Sequence, residues 1–173
     1  RRVVAEQAGL CKARGVHVDT PCSASLDRDC CQFLVSGDAL LCYSMLSNTI
    51  KNAIEASPAG GVVSLAFTPG DPMEVRIHNA GAVPAPMQGV FFEKHMTYGK
   101  QRGTGLGTYS ARLMALTQGG DIGFESNEEE GTTVWFRLLP APSGLESGAV
   151  GPRPNKGKRG PAPHAAPGKA RPQ

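Results

Sequence analysis

The chain has 173 residues and 18.1 kDa, with 40% hydrophobic and 19% charged residues. That is the size of one ordinary domain, and the balance excludes wholesale disorder. The net charge of +3 is unevenly placed: six of the 18 basic residues and none of the 15 acidic ones fall in 151–173, so the body carries −3. A weakly acidic body lacks the electrostatic footprint of a nucleic-acid binder. No run approaches the roughly 18 apolar residues of a membrane span, and no basic-then-apolar leader is present. The chain opens with Arg1 rather than Met, so it reads as a piece of something longer.

In chain order, Arg2 to Lys12 predicts a helix on Val3, Val4, Ala8 and Leu10, stopped by Gly15. Val16-His17-Val18 predicts a short strand, Thr20–Asp29 a polar connection, and Cys31–Val35 a second strand candidate ending at Ser36-Gly37. Asp38 serves as the N-cap of the longest helix, which runs to Ser57 and is closed by Pro58 and Gly60-Gly61. Strands Val62–Phe67 and Met73–His78 follow, separated by the turn Pro69-Gly70-Asp71-Pro72. Asn79 to Gly103 is long and irregular, and a connection of that length inside a domain is generally functional. Gly105 to Gln118 returns to helical periodicity before Gly119-Gly120. Asp121–Ser126 and Thr132–Leu138 complete the strands around an acidic turn. Paired strands between helices indicate an α+β two-layer sandwich rather than a parallel doubly wound sheet. The Pro- and Gly-rich basic stretch beyond Pro140 cannot bury a core, so residues 1–140 are expected to form the domain and 141–173 a disordered tail or linker. The five cysteines, Cys11, Cys22, Cys30, Cys31 and Cys42, have neither zinc nor ordinary disulfide spacing and read as free thiols in a reducing compartment.

Asn48 and Asn52 stand four apart on an apolar helix, so both amides share one face. Such a pair can offer oxygens to magnesium, which takes few from protein and several from phosphate and water. A solvated face is the bland alternative. Gly103, Thr104, Gly105, Leu106 and Gly107 open the next helix, where backbone N–H groups and the helix dipole favour phosphate; a tight turn is the alternative there. Neither a Walker-type loop nor a Rossmann fingerprint fits, because Gly99-Lys100 is followed by Gln101 and no strand precedes the glycines. Asn79 ends a strand and could hydrogen-bond a base edge, with Gly81 permitting close approach. Lys94, Lys100 and Arg102 lie in the long connection and could clamp phosphates as a lid.

In this order the segments LLCYSMLSNTIKNAIEASPAGG, VRIHNAGAVP, FFEKHMTYGKQRGTGLGTYSARLMALTQGG and EEEGTTVWFRLLP resemble the ATP-binding catalytic domain of sensor histidine kinases, within the superfamily of gyrase, chaperone and mismatch-repair ATPases. The resemblance covers roughly Arg2 to Pro140. It implies a five-stranded, mixed and mostly antiparallel sheet covered on one face by about three helices (the Bergerat-type ATP-binding fold). Leu41–Ala56 looks like the N box, with Asn52 as the magnesium ligand, Asn48 one turn earlier and Lys51 beside them at the nucleotide. His78–Pro84 looks like the first glycine box, placing Asn79 and Gly81 at the adenine. Phe91-Phe92-Glu93-Lys94 resembles the F box that anchors the lid, and Lys94 and Lys100 would reach the phosphates. Gly103, Thr104, Gly105, Leu106 and Gly107 resemble the second glycine box, and Thr132 the later glycine-threonine turn of the site.

Two positions depart from the family pattern: Asn79 replaces an acid, in a box one residue short, and Glu55 stands where some relatives carry a phosphate-contacting lysine. Asn48 separates the branches. Hydrolytic relatives carry a water-activating glutamate there, and an amide takes up no proton near neutrality, so transfer to a protein side chain is favoured over hydrolysis. The expected activity is therefore Mg-ATP-dependent donation of the γ-phosphoryl group to a histidine. None of His17, His78, His95 and His164 sits in the family's acceptor pattern. The expected partners are a histidine-bearing dimerisation domain upstream in the full-length protein, a response-regulator receiver domain, and a second copy in a homodimer, with no nucleic acid. The location implied is cytoplasmic, and a membrane anchor in a missing N-terminal part stays open. The runner-up is a nucleotide-binding pseudokinase or docking module without phosphotransfer.

Overall fold

The computed structural model describes residues 2–20, 34–95 and 105–142. The elements are α1 (Arg2–Glu6), α2 (Ala8–Arg14), β1 (His17–Asp19), α3 (Ala39–Ala56), β2 (Val62–Thr68), β3 (Met73–Asn79), α4 (Ala85–Gln88), α5 (Gly107–Thr117), β4 (Asp121–Asn127) and β5 (Gly131–Leu138). The strands form one sheet in the order β1-β2-β3-β5-β4. Only the β1–β2 pair is parallel, starting at His17 opposite Val62; the other three pairs are antiparallel. Helices α3 and α5 pack on each other and on the sheet, while α1 and α2 pack on α3. The fold is the α+β arrangement that the sequence pattern predicts.

Period-two alternation divides the sheet. Met73, Val75, Ile77 and Asn79 of β3 and Thr132, Val134, Phe136 and Leu138 of β5 are buried on the helix-facing side. The opposite side is laced with charge: Glu74 pairs with Arg76 and Arg137, and Arg76 pairs in turn with Glu125. On the same side the Trp135 ring lies across Gly123 on β4, where a Cβ would collide with the indole, and the Arg137 guanidinium sits 4.5 Å from the ring centroid.

Helix α3 owes its ends to local chemistry and its stability to packing. The Asp38 carboxylate accepts from Leu40 N at 2.8 Å and Leu41 N at 3.1 Å, satisfying two orphan donors of the first turn. Ser57 turns extended because Pro58 disfavours the helical region for the residue before it. An isolated helix of this length is marginal in water. Burial of Met45, Ile50 and Ile54, at about 1.5–3 kcal/mol each before entropy, decides the matter.

Three expectations need correction. The helix predicted over Arg2 to Lys12 breaks at Gln7 into α1 and α2, and Gln7 Nε2 donates to Ser47 Oγ at 3.3 Å. Of the strand candidate Cys31–Val35, residues 31–33 lie outside the described residues, and Val35 forms a single bridge with Pro140 rather than a strand. The irregular stretch after Asn79 holds the four-residue helix α4, entered through Pro84. Among the described residues Cys11 and Cys42 are free thiols, and burial raises the Cys42 pKa.

Candidate nucleotide site

The site begins where α3 meets α5. Gly107, Ala111 and Ala115 recur every four residues on α5, and both alanines are buried. Small side chains along that face let the two helices approach closely. A Cβ added to Gly107 would stand 3.0 Å from Asn52 Nδ2 and 3.5 Å from Asn52 Oδ1, so Asn52 lies against the first residue of α5. Asn48 is one turn back, and both asparagines are half-buried. The Asn52 side chain forms no hydrogen bond to another described residue.

The N-terminus of α5 carries no side-chain cap, since its N-cap position is Leu106. Its first N–H groups therefore lack the satisfaction that Asp38 gives α3, and the positive end of the helix dipole faces the same place. Gly105, in the left-handed region at φ 64°, accepts at its carbonyl from His95 N at 3.0 Å. The chain thus leaves at His95 and returns at Gly105 across a single hydrogen bond. Lys94 is exposed just before that point. Lys100, Gly103 and Thr104 lie outside the described residues. Lys51 is exposed on α3, and its Nζ is 3.9 Å from the carboxylate of Glu55.

Asn79 marks the other end. It continues the inward row of β3, is 3% exposed, and stands opposite Thr132 on β5. Its Nδ2 donates to the Gly81 carbonyl at 3.1 Å, and Thr132 Oγ1 donates to the same carbonyl at 2.7 Å. Gly81 packs on the carbonyl of Ala56, where no Cβ would fit. Ala56 follows Asn52 by one helical turn, so Asn52, Ala56, Gly81 and Asn79 form one continuous line along the rim of α3.

The lid base is aromatic. Phe91 stacks on Phe124 of β4 with centroids 4.1 Å apart, Phe92 meets Phe124 edge-on at 5.7 Å, and Arg112 covers Phe92. A groove of about 250 Å³ runs between Phe92 and the outer side of α5, past Tyr109, Leu113 and Leu116. It lies on the side of α5 turned away from Asn52 and forms no part of the line described above.

Sequence reasoning overlooked Ser126 and Phe124. Ser126 Oγ lies 2.8 Å from Thr132 Oγ1 and accepts from Val83 N at 2.8 Å. The signal was available, because a hairpin closed over Asn127–Gly131 sets Ser126 opposite Thr132.

Among the described residues no three His, Cys, Asp or Glu side chains gather as a metal cage. The donor set still fits magnesium held with a nucleotide, which needs one or two protein oxygens and draws the rest from phosphate and water. The backbone cradle at Gly107, which a Cβ would fill, is the matching feature for the phosphates.

Comparison with known proteins follows the same geometry. Residues 37–142 match the family model described as histidine kinase-, DNA gyrase B-, and HSP90-like ATPase. The sensor protein IrlS of Burkholderia pseudomallei is 30% identical over 111 residues, covering 60% of this chain and 24% of that protein. The sensor histidine kinase WalK of Bacillus subtilis is 33% identical over 103 residues, covering 54% of this chain and 17% of that one. The matched stretch thus spans about a quarter or less of these two relatives. Among solved structures, the catalytic domain of histidine kinase ThkA superposes with a TM-score of 0.64 at 24% identity, over 81% of this chain and 89% of that one. The mycobacterial sensor histidine kinase MprB gives 0.63 at 19% identity, over 81% and 94%. Both show the same fold.

Proposed function

The chain belongs to the histidine kinase-, DNA gyrase B-, and HSP90-like ATPase family, and on that premise we propose that it binds Mg-ATP and donates the γ-phosphoryl group to a histidine on a separate dimerisation domain. The observation that carries this reading is the contact of Asn52 with Gly107, which joins an amide oxygen donor to an uncapped helix N-terminus.

Phosphoryl transfer asks mainly for positioning and charge neutralisation. Asn52 Oδ1 is the group that would hold magnesium, and the metal when bound would neutralise phosphate charge. The N–H groups at Gly107 and the following turn would hold phosphate oxygens, with Gly105, Leu106 and the outlying Gly103 and Thr104 shaping the approach. Lys94 and Lys100 are proposed as lid cations, and Lys51 as a third cation tempered by Glu55. Asn79, Gly81 and Thr132 would receive the adenine. Asn48 cannot act as a general base for water, which leaves the phosphoryl group to a protein acceptor.

That acceptor lies elsewhere. His17 is on β1, His78 is on β3 and bonded to Thr133, and His95 stands at the lid base with φ 64°. A histidine-bearing dimerisation domain, a receiver domain and a homodimeric, cytoplasmic parent protein complete the proposal. No described helix is long and apolar enough to cross a membrane.

The test mixes the chain with γ-labelled ATP and a separately produced histidine-bearing helical domain. Acid-labile label on that domain supports transfer. Nucleotide binding without any label on it supports the second reading, nucleotide-dependent docking, which the Lys51–Glu55 pair and the uncharged Asn79 favour.

A further inference from the structure

The hydrogen bonds around Asn79 have only one possible direction. At one end stands Val83 N–H, which can only donate, and it meets Ser126 Oγ at 2.8 Å. At the other end stands the Gly81 carbonyl, which can only accept, at 2.7 Å from Thr132 Oγ1. Thr132 spends its one proton on that carbonyl, so in the 2.8 Å contact between the two hydroxyls Ser126 is the donor. The second group on the Gly81 carbonyl is the Asn79 amide, 3.1 Å away, and an acceptor oxygen compels it to present Nδ2. The outward end of the amide is therefore Oδ1. Gln88 braces the chain from outside, with Nε2 donating to the Val83 carbonyl at 3.0 Å.

This matters because an amide, unlike the acid it replaces, has two different ends. Turned one way it accepts from an amino group; turned the other way it donates to a keto oxygen. We propose that the chain Val83–Ser126–Thr132–Gly81 locks Asn79 in its accepting orientation, so that the site selects a 6-amino purine over a 6-keto purine, with Thr132 as the positioning residue. The inference rests on the nucleotide-binding reading above. A 6-keto oxygen would meet Oδ1, acceptor against acceptor. Turning the amide to greet it would set Oδ1 against the Gly81 carbonyl and break a buried bond. Adenine offers an N6 amino donor, whereas guanine and hypoxanthine carry oxygen at that position. Thr132 touches the base through neither of these bonds; it holds the carbonyl that holds the amide.

The test measures binding of ATP and of inosine triphosphate, which carries the 6-keto oxygen, to the full chain, its Thr132→Val and Thr132→Ser variants. The wild type should prefer ATP by at least about tenfold. Thr132→Val should shrink that ratio severalfold, and Thr132→Ser, which keeps the hydroxyl, should restore it. A purely structural role would lower affinity for both nucleotides together and leave the ratio untouched, which overturns the assignment to Thr132. Equal wild-type binding of both nucleotides overturns the lock even if the valine variant fails to fold. Binding of neither removes the nucleotide reading and this inference with it.

Discussion

Gly107 and Asn52 touch because one of them has no side chain: a Cβ on Gly107 would lie 3.0 Å from Asn52 Nδ2. Alanine at 107 gains helix propensity of up to about 1 kcal/mol but pushes the amide aside by a few tenths of an ångström. Gly107→Ala should therefore melt within about 1 kcal/mol of the parent chain. Its affinity for Mg-ATP should nonetheless fall by about tenfold, equivalent to ~1.4 kcal/mol. Melting with and without Mg-ATP checks both. An undiminished ligand shift would mean that the contact is packing alone.

Glu55 sits three residues after Asn52 and pairs with Lys51 at 3.9 Å. Replacing it by glutamine removes a negative charge beside the proposed phosphate end and frees a cation. The expected outcome is tighter Mg-ATP binding at low salt, by severalfold, with the gain shrinking near 1 M salt as screening sets in. Stability should drop by no more than about 0.5 kcal/mol, as for other exposed i,i+4 pairs. Titration at both salt concentrations checks this, and a gain that survives high salt would point to a different cause.

Trp135 is the chain's one tryptophan, so its fluorescence reports a single place. Gly123 leaves the room on which the indole lies. Gly123→Ala should displace the ring into solvent, red-shift the emission and cost about 1–3 kcal/mol of stability. Unchanged emission would show that the ring does not lie across β4.

The expected acid response follows from Glu74. Hydrogen bonds from Arg137 at 3.0 Å and Arg76 at 3.1 Å hold its carboxyl below the usual carboxylate range. A depressed folded pKa means that the stabilisation is present above the unfolded value of about 4.3 and is lost as pH falls through the folded one. Because the pair is exposed to solvent, less than about 1 kcal/mol is at stake. Melting curves of the parent chain and Glu74→Gln should differ near neutrality and converge below about pH 4. A gap that persists in acid would assign the effect to packing.

Much of this was legible in the residues. Asp38 as a cap and Pro58 as a stop delimit α3, and both act through contacts with their immediate neighbours. Alternation in β3 and β5 told the inner face from the outer. Local signals failed where a distant partner decided. No Gly or Pro marks the break at Gln7, whose side chain answers to Ser47 forty residues away. Val35 belongs to a β-branched run, yet pairing ends at Pro140, which has no N–H to continue a ladder. Gly81 reads in sequence as room for a ligand; in space that room faces the Ala56 carbonyl. The Ser126–Thr132–Gly81 chain depends on strand register and on a loop crossing, which no single segment reveals.

Calorimetric titration of Mg-ATP into the parent chain and into Asn52→Ala tests the central assignment most directly. Asn52 faces α5 and forms no hydrogen bond to another described residue, so its truncation should leave the fold standing. Saturable heat with the parent chain and a loss of at least about tenfold in affinity for the variant is the expected result. Equal affinity in the two proteins would contradict the placement of magnesium and triphosphate between α3 and α5.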